Sequence, residues 1–167
     1  MKTKTFLLTT LMFAFLLTST TGIHAQTAKS NLDQAKLMQQ MLGTWEATVG
    51  KDTVEVWETK QYGKSFITKV SRKIKGEKSP YYISNDCFDS KDGNIKGFLL
   101  MASGDYNTWI GSWTSEKKLS AGMVQNFKPE TVSEKYEFVY ETPAKMTFTV
   151  FNIDGKKTWE TKYIKVK

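Results

Sequence analysis

Histidine and cysteine are almost missing from these 167 residues, with His24 and Cys87 the sole examples. One thiol excludes an internal disulfide, and its distance from the amino terminus excludes a lipid-modified cysteine beside a cleavage point. With no imidazole beyond position 24, the rest of the chain offers no Ser-His-Asp triad, no histidine ligand for haem and no typical zinc set. Arginine is also solitary, at Arg72, and no Asn-x-Ser/Thr acceptor occurs. A glycine-rich phosphate loop and a dinucleotide fingerprint are lacking too. Aromatic residues are plentiful, at 13% within a 40% hydrophobic and 25% charged composition. That balance suits a single domain with a buried core and excludes disordered, collagen-like and coiled-coil chains.

The longest apolar run is short. Lys2 and Lys4 precede twelve mostly apolar residues, 6–17, followed by Ser/Thr-rich sequence and Ala25. This pattern predicts a cleaved export signal over residues 1–25, too short to span a bilayer as a helix. The alternative is an apolar N-terminal helix of the domain. Cleavage after Ala25 removes His24 and two lysines, leaving 22 basic against 17 acidic residues, a net charge of +5. The expectation is a bacterial periplasmic or secreted protein with a linker at 26–30, one domain at 31–167 and no transmembrane segment in its mature form. A chain of that size buries roughly two-thirds of its unfolded surface.

One helix pattern follows. Ser30 or Asn31 can cap it, Leu32, Ala35, Met38, Met41 and Leu42 recur at three- and four-residue steps, and Gly43 ends it. Beyond Gly43 the chain alternates strand and turn. Strands are predicted over 44–49, 53–61, 65–74, 81–87, 95–101, 106–114, 119–126, 132–141, 145–153 and 157–166. Pairs such as Asp92-Gly93 and Asp154-Gly155 supply turns, and Pro80, Pro129 and Pro143 fall between strands. No connection is long enough for a crossover helix, so neighbouring strands pair antiparallel. About eight to ten consecutive antiparallel strands close on themselves to avoid two adhesive edges. The predicted fold class is therefore all-β, an up-and-down antiparallel β-barrel with one short N-terminal helix. Such a barrel is either filled by side chains or holds one small ligand.

Leu42-Gly43-Thr44-Trp45 places a Gly-x-Trp at the junction of helix and first strand. The chain resembles the calycin superfamily, most nearly the lipocalin-like domains of exported bacterial proteins. The resemblance implies a tight turn at Gly43 and a Trp45 that plugs the closed barrel end under a basic side chain from a late strand. The arginine usual there is missing, so Lys162 or Lys165 has to replace it. Ten strands are nearer to fatty-acid-binding or nitrobindin-like barrels, but haem binding of the latter kind uses a histidine that the mature chain lacks.

Candidate site residues are mainly aromatic. Trp109 and Trp113 share one face of the sixth strand, and Tyr136, Phe138 and Tyr140 share one face of the eighth. With Trp57, Phe66, Phe148 and Trp159 they are candidates for a cavity wall around an apolar or flat ligand, or else for a packed core. Arg72 shares parity with Phe66, Thr68 and Val70. It either meets an anionic ligand inside or joins Lys64, Lys69, Lys73, Lys75 and Lys78 on a solvated basic face. That run has no recognition helix or RNA-binding motif, so nucleic acid is not an expected partner. Asp86, Asp89 and Asp92 fail the calcium-loop spacing and read as a hairpin turn, with no metal expected. Cys87 reads as a small buried residue. Glu55, Glu58, Glu134, Glu137 and Glu141 read as outward residues paired with lysines, with an acid/base pair inside the barrel as the alternative.

Three functions follow from these readings. The first is an exported protein that holds a small hydrophobic or amphipathic ligand, with no cofactor and no catalytic residue assigned. The second is an interaction protein of the cell envelope with a solid barrel core. The third is a histidine-free enzyme using carboxylates and tyrosines.

Overall fold

The computed structural model describes residues 31–167, so the expected export signal and linker lie outside the described residues. Ten strands run in sequence order: β1 (Gly43–Gly50), β2 (Thr53–Tyr62), β3 (Ser65–Ile74), β4 (Glu77–Asp89), β5 (Asn94–Met101), β6 (Tyr106–Ser115), β7 (Lys118–Val124), β8 (Glu134–Thr142), β9 (Lys145–Asn152) and β10 (Lys157–Lys165). Each pairs antiparallel with its neighbours, and β10 returns to β1, so the sheet is a closed up-and-down barrel. The closing seam aligns Trp45 with Lys165 and Glu46 with Ile164. It continues through Thr44, whose N–H donates to the Lys167 carbonyl at 2.7 Å and whose carbonyl accepts from Val166 at 2.8 Å.

The helix differs from its sequence pattern. Among the described residues only α1 (Gln34–Leu37) is α-helical, capped by the Asp33 carboxylate on the Lys36 N–H at 2.9 Å. Met38–Met41 tightens into a 3₁₀ turn. The buried pair is Gln34 and Met38, while Ala35 faces solvent. The cause is polar: the Gln34 amide takes the Trp113 N–H at 2.7 Å and donates to the Trp113 carbonyl at 3.0 Å, docking the helix where β6 ends. The Met41 carbonyl, released by the 3₁₀ turn, accepts the Trp45 indole N–H at 3.1 Å. Gly43 then turns with φ +107°, and a Cβ there would stand 2.4 Å from the Lys167 carbonyl oxygen. Both the backbone conformation and the closing carboxyl-terminal strand therefore require glycine.

Strand ends also shift. The Lys75-Gly76 turn is tight enough for β4 to begin at Glu77, which places Pro80 inside a strand. It sits opposite Ser71 at an irregularity in the β3–β4 register, where a missing N–H does least harm. β7 stops at Val124, because Asn126 and Phe127 adopt positive φ and a 3₁₀ turn (Pro129–Thr131) precedes β8.

The core is concentrated at the helix end. Trp45, Trp113, Tyr163, Met38, Ile95, Leu119 and Met146 are all fully buried. Tyr140 links the two tryptophans there, with ring centroids 5.8 Å from Trp45 and 5.3 Å from Trp113. The Lys165 ammonium, from the last strand, lies 4.8 Å over the Trp45 ring. Outside the barrel, Ile83, Phe98, Leu100 and Tyr106 on β4–β6 are exposed, with Phe98 stacked on Tyr106 at 5.5 Å.

Candidate functional site

Above the plugged end the inward side chains leave a cavity of about 560 Å³. This lies within the range of small-molecule sites. Alternation along each strand points every second residue inward, and the strand ends remote from the helix form the mouth. The wall across β2, β8, β9 and β10 is aromatic. Phe148 lies at its centre, 5.7 Å from Trp57, 5.7 Å from Tyr136, 4.6 Å from Phe138 and 5.6 Å from Trp159. Trp57, Phe138 and Phe148 point inward yet are only partly buried, because they face open volume rather than a packed core. Trp159, at the mouth, is 36% exposed.

Trp109 forms the opposite wall on β6. Its indole lies flat across Gly97 of β5, where any Cβ would overlap the ring. On the other side of Gly97 is Asp86 of β4, 2% exposed. Burial pushes the Asp86 carboxyl up to about 7, against hydrogen bonds from the Ser84 hydroxyl and the Trp109 indole that draw it down. Burial likewise raises the Tyr82, Tyr136 and Tyr140 phenols well above their usual value, so they stay neutral donors. At the mouth the Tyr136 hydroxyl donates to Glu134 at 2.6 Å.

Glu55 departs from its sequence reading. Instead of facing solvent it is 4% exposed inside the barrel, and its carboxylate accepts three bonds. These come from the Trp57 indole at 2.8 Å, the Tyr163 hydroxyl at 2.7 Å and the Arg72 guanidinium at 2.9 Å. Arg72 also stacks on Tyr81, its guanidinium carbon 3.7 Å from the ring centroid. The arginine therefore lines the rim of the cavity, already paired, rather than joining the basic surface run. Of that run, Lys73 and Lys78 pair outside with Glu46 and Glu58.

Eight of the ten sequence-nominated wall residues line this cavity: Trp57, Arg72, Trp109, Tyr136, Phe138, Tyr140, Phe148 and Trp159. Phe66 and Trp113 belong instead to the packed helix end, 3% and 1% exposed. Parity shows which side of the sheet a residue faces but not its depth along the barrel axis. Neither Asp86 nor Glu55 was among the wall candidates: Glu55 reads as outward, with an interior acid/base pair as the alternative, although it shares parity with Trp57. Asp86 was grouped with Asp89 and Asp92, yet those two face Lys96 at 2.8 and 2.6 Å in the β4–β5 hairpin while Asp86 turns inward. Its parity with Tyr82 and Ser84 was the usable signal. Among the described residues no group of three or more His, Cys, Asp or Glu side chains is arranged to hold a metal ion. No described helix is long and apolar enough to cross a membrane. Cys87 is half-buried, with its thiol pushed up by burial and by the neighbouring aspartates.

Compared with protein-family models the chain matches none, and no curated protein matches it in sequence, so the closed barrel and its cavity are the basis for any functional reading.

Proposed function

We propose that this chain is a binding protein whose barrel holds one small, largely apolar molecule with aromatic character. The observation that carries the reading is the 560 Å³ cavity, with an aromatic wall around Phe148 and a few buried polar groups at fixed positions. Such a combination orients a ligand while its apolar surface supplies the affinity. A solid-core interaction protein does not fit an interior of this volume. The anionic ligand suggested by Arg72 alone also loses support, because Glu55 already neutralises that guanidinium. Membership of the calycins and export to the periplasm or beyond belong to the same proposal. They are supported by Gly43 and Trp45 at the plugged end and by the leader pattern over residues 1–25.

Native mass spectrometry of protein isolated from its own cells, paired with tryptophan quenching by aromatic compounds, tests the reading. We expect a retained small molecule and quenched emission, since Trp57, Trp109 and Trp159 line the cavity. A bare polypeptide mass together with unquenched emission contradicts it.

One observation favours a second reading, a histidine-free acid–base enzyme: Asp86 is a buried carboxyl poised near neutrality with tyrosines around it. Recovery of a chemically altered ligand, lost in Asp86→Asn, separates turnover from simple binding.

A further inference from the structure

The polar groups of the cavity do not balance in charge. Three carboxyl groups and one cation line it. Glu55 is answered by Arg72, and Glu134 stands exposed at the mouth with the Tyr136 hydroxyl. Asp86 is deep, and its hydrogen bonds come from two neutral donors, Ser84 and Trp109. Among the described residues every salt bridge leaves Asp86 out, and Lys96, on the neighbouring strand opposite Cys87, is taken by Asp89 and Asp92. Removing one carboxylate from water without a counter-charge works against folding. A serine or asparagine at this position would satisfy the same donors without that penalty, so the carboxyl points to a partner outside the chain. The indoles of Trp57, Trp109 and Trp159 line the same volume. Indole faces attract organic cations, and more strongly where water is excluded.

We propose that the cavity takes an organic cation, a protonated amine carried on an aromatic body, with the nitrogen paired to the Asp86 carboxylate and the body against the aromatic wall. This rests on the binding reading above and specifies its ligand class. An anion would meet Asp86 and Glu134 with no free cation inside, because Arg72 is committed to Glu55 and stacked on Tyr81. A neutral ligand would leave the Asp86 charge uncompensated above neutral pH.

The titratable groups that feel the Asp86 charge are the Tyr82 phenol on its own strand, the Tyr140 phenol on β8 and the adjacent Cys87 thiol, with Glu55 on β2 bearing on Tyr82. Burial raises the two phenols and the thiol, so among these groups it is the Asp86 carboxyl that changes charge between pH 5 and 9. Ligand binding therefore follows the ionisation of Asp86, rising with pH and levelling above neutrality.

The test uses three probes with one ring system and three charges: 2-(1-naphthyl)ethylammonium, 2-(1-naphthyl)ethanol and 3-(1-naphthyl)propanoate, titrated calorimetrically at pH 8 and pH 5.5. The ammonium is expected to bind at least about tenfold tighter than the alcohol at pH 8, with the carboxylate weakest. Its affinity should fall roughly 30-fold at pH 5.5, the ratio of ionised Asp86 at the two pH values for a carboxyl near 7. Asp86→Asn should remove both the charge preference and the pH dependence. Carbon-13 NMR of the Asp86 carboxyl in the unsubstituted protein should show its titration midpoint moving down when the ammonium is added, a readout independent of how the variant folds. Equal binding of the alcohol or the carboxylate, ammonium binding that ignores pH, or an unmoved midpoint overturns the proposal while leaving a binding cavity in place. Failure of all three probes to bind overturns the binding reading and this proposal together.

Discussion

Burying a carboxyl without a counter-charge sets a pH dependence on stability, and Asp86 gives it a definite sign. Its carboxyl lies at about 7 in the folded chain against an ordinary 3.8, so the native state holds this proton more tightly than the unfolded state. Between about pH 4 and 7 the native state is therefore the more protonated one, and stability falls as pH rises through that window, by up to about 4 kcal/mol. Above 7 nothing further is lost from this group. Asp86→Asn should accordingly be more stable than the parent at pH 8, by a few kcal/mol within that ceiling. The advantage should vanish near pH 4, as read from urea denaturation at the two pH values. Equal stability at pH 8 would mean that the carboxyl is hydrated. This residue shows the limit of sequence reading at its own scale. Three aspartates spaced three apart look alike in the chain, and it is the β4–β5–β6 pairing that sets Asp86 across Gly97 from Trp109 while Asp89 and Asp92 meet Lys96.

At the scale of elements, the helix is held by one amide as well as by an apolar stripe, Leu32, Leu37, Met38, Met41 and Leu42, packed on the core. Gln34 satisfies both the N–H and the carbonyl of Trp113, two backbone groups at the end of β6. Gln34→Ala should destabilise the fold by about 2 kcal/mol, since hydrogen bonds to buried backbone groups are lost with the side chain. Chemical denaturation reads the loss, and a change below about 0.5 kcal/mol, the size of an ordinary surface substitution, would show that the helix docks without it. The apolar spacing over residues 32–42 revealed the helical segment, where Gly43 stops it and the face that meets the core through Leu32, Met38, Met41 and Leu42, but not that Ala35 faces solvent and Gln34 is buried. A glutamine that completes another strand's hydrogen bonding has no periodic signature. Strands were more legible, because β-branched and aromatic runs between Gly and Asp turns mark them directly. Pro80 is the exception: a proline reads as a break unless the opposite strand carries a register irregularity, as β3 does at Val70 and Ser71.

For the molecule as a whole, closure is the property on which cavity and plug both depend, and it is weakest where the chain ends meet. The β1–β10 seam aligns two residue pairs, whereas β3 and β4 align ten. Native-state hydrogen exchange should find the Thr44 and Val166 amides opening at least about tenfold faster than those in the middle of β3 and β4, such as Thr68 and Ser84. Uniform protection around the ring would contradict a seam of this kind. Antiparallel pairing, strand number and closure follow from short turns and the lack of crossover segments, and all three were legible in the sequence. Whether the ring is hollow was not, because interior volume depends on strand tilt and on the summed sizes of side chains from every strand at each depth. The same blindness to depth put Phe66 and Trp113 among the wall candidates, although they fill the end beside the helix.

Every functional statement above requires this interior to be a binding volume. Calorimetric titration of 2-naphthol into the protein and into Ala121→Phe, whose ring would enter the cavity from β7, tests it most directly. We predict one-to-one binding to the parent with a negative heat-capacity change, the mark of buried apolar surface, and binding at least about tenfold weaker in the filled variant. No binding heat in the parent, or equal affinity in both proteins, would contradict the claim.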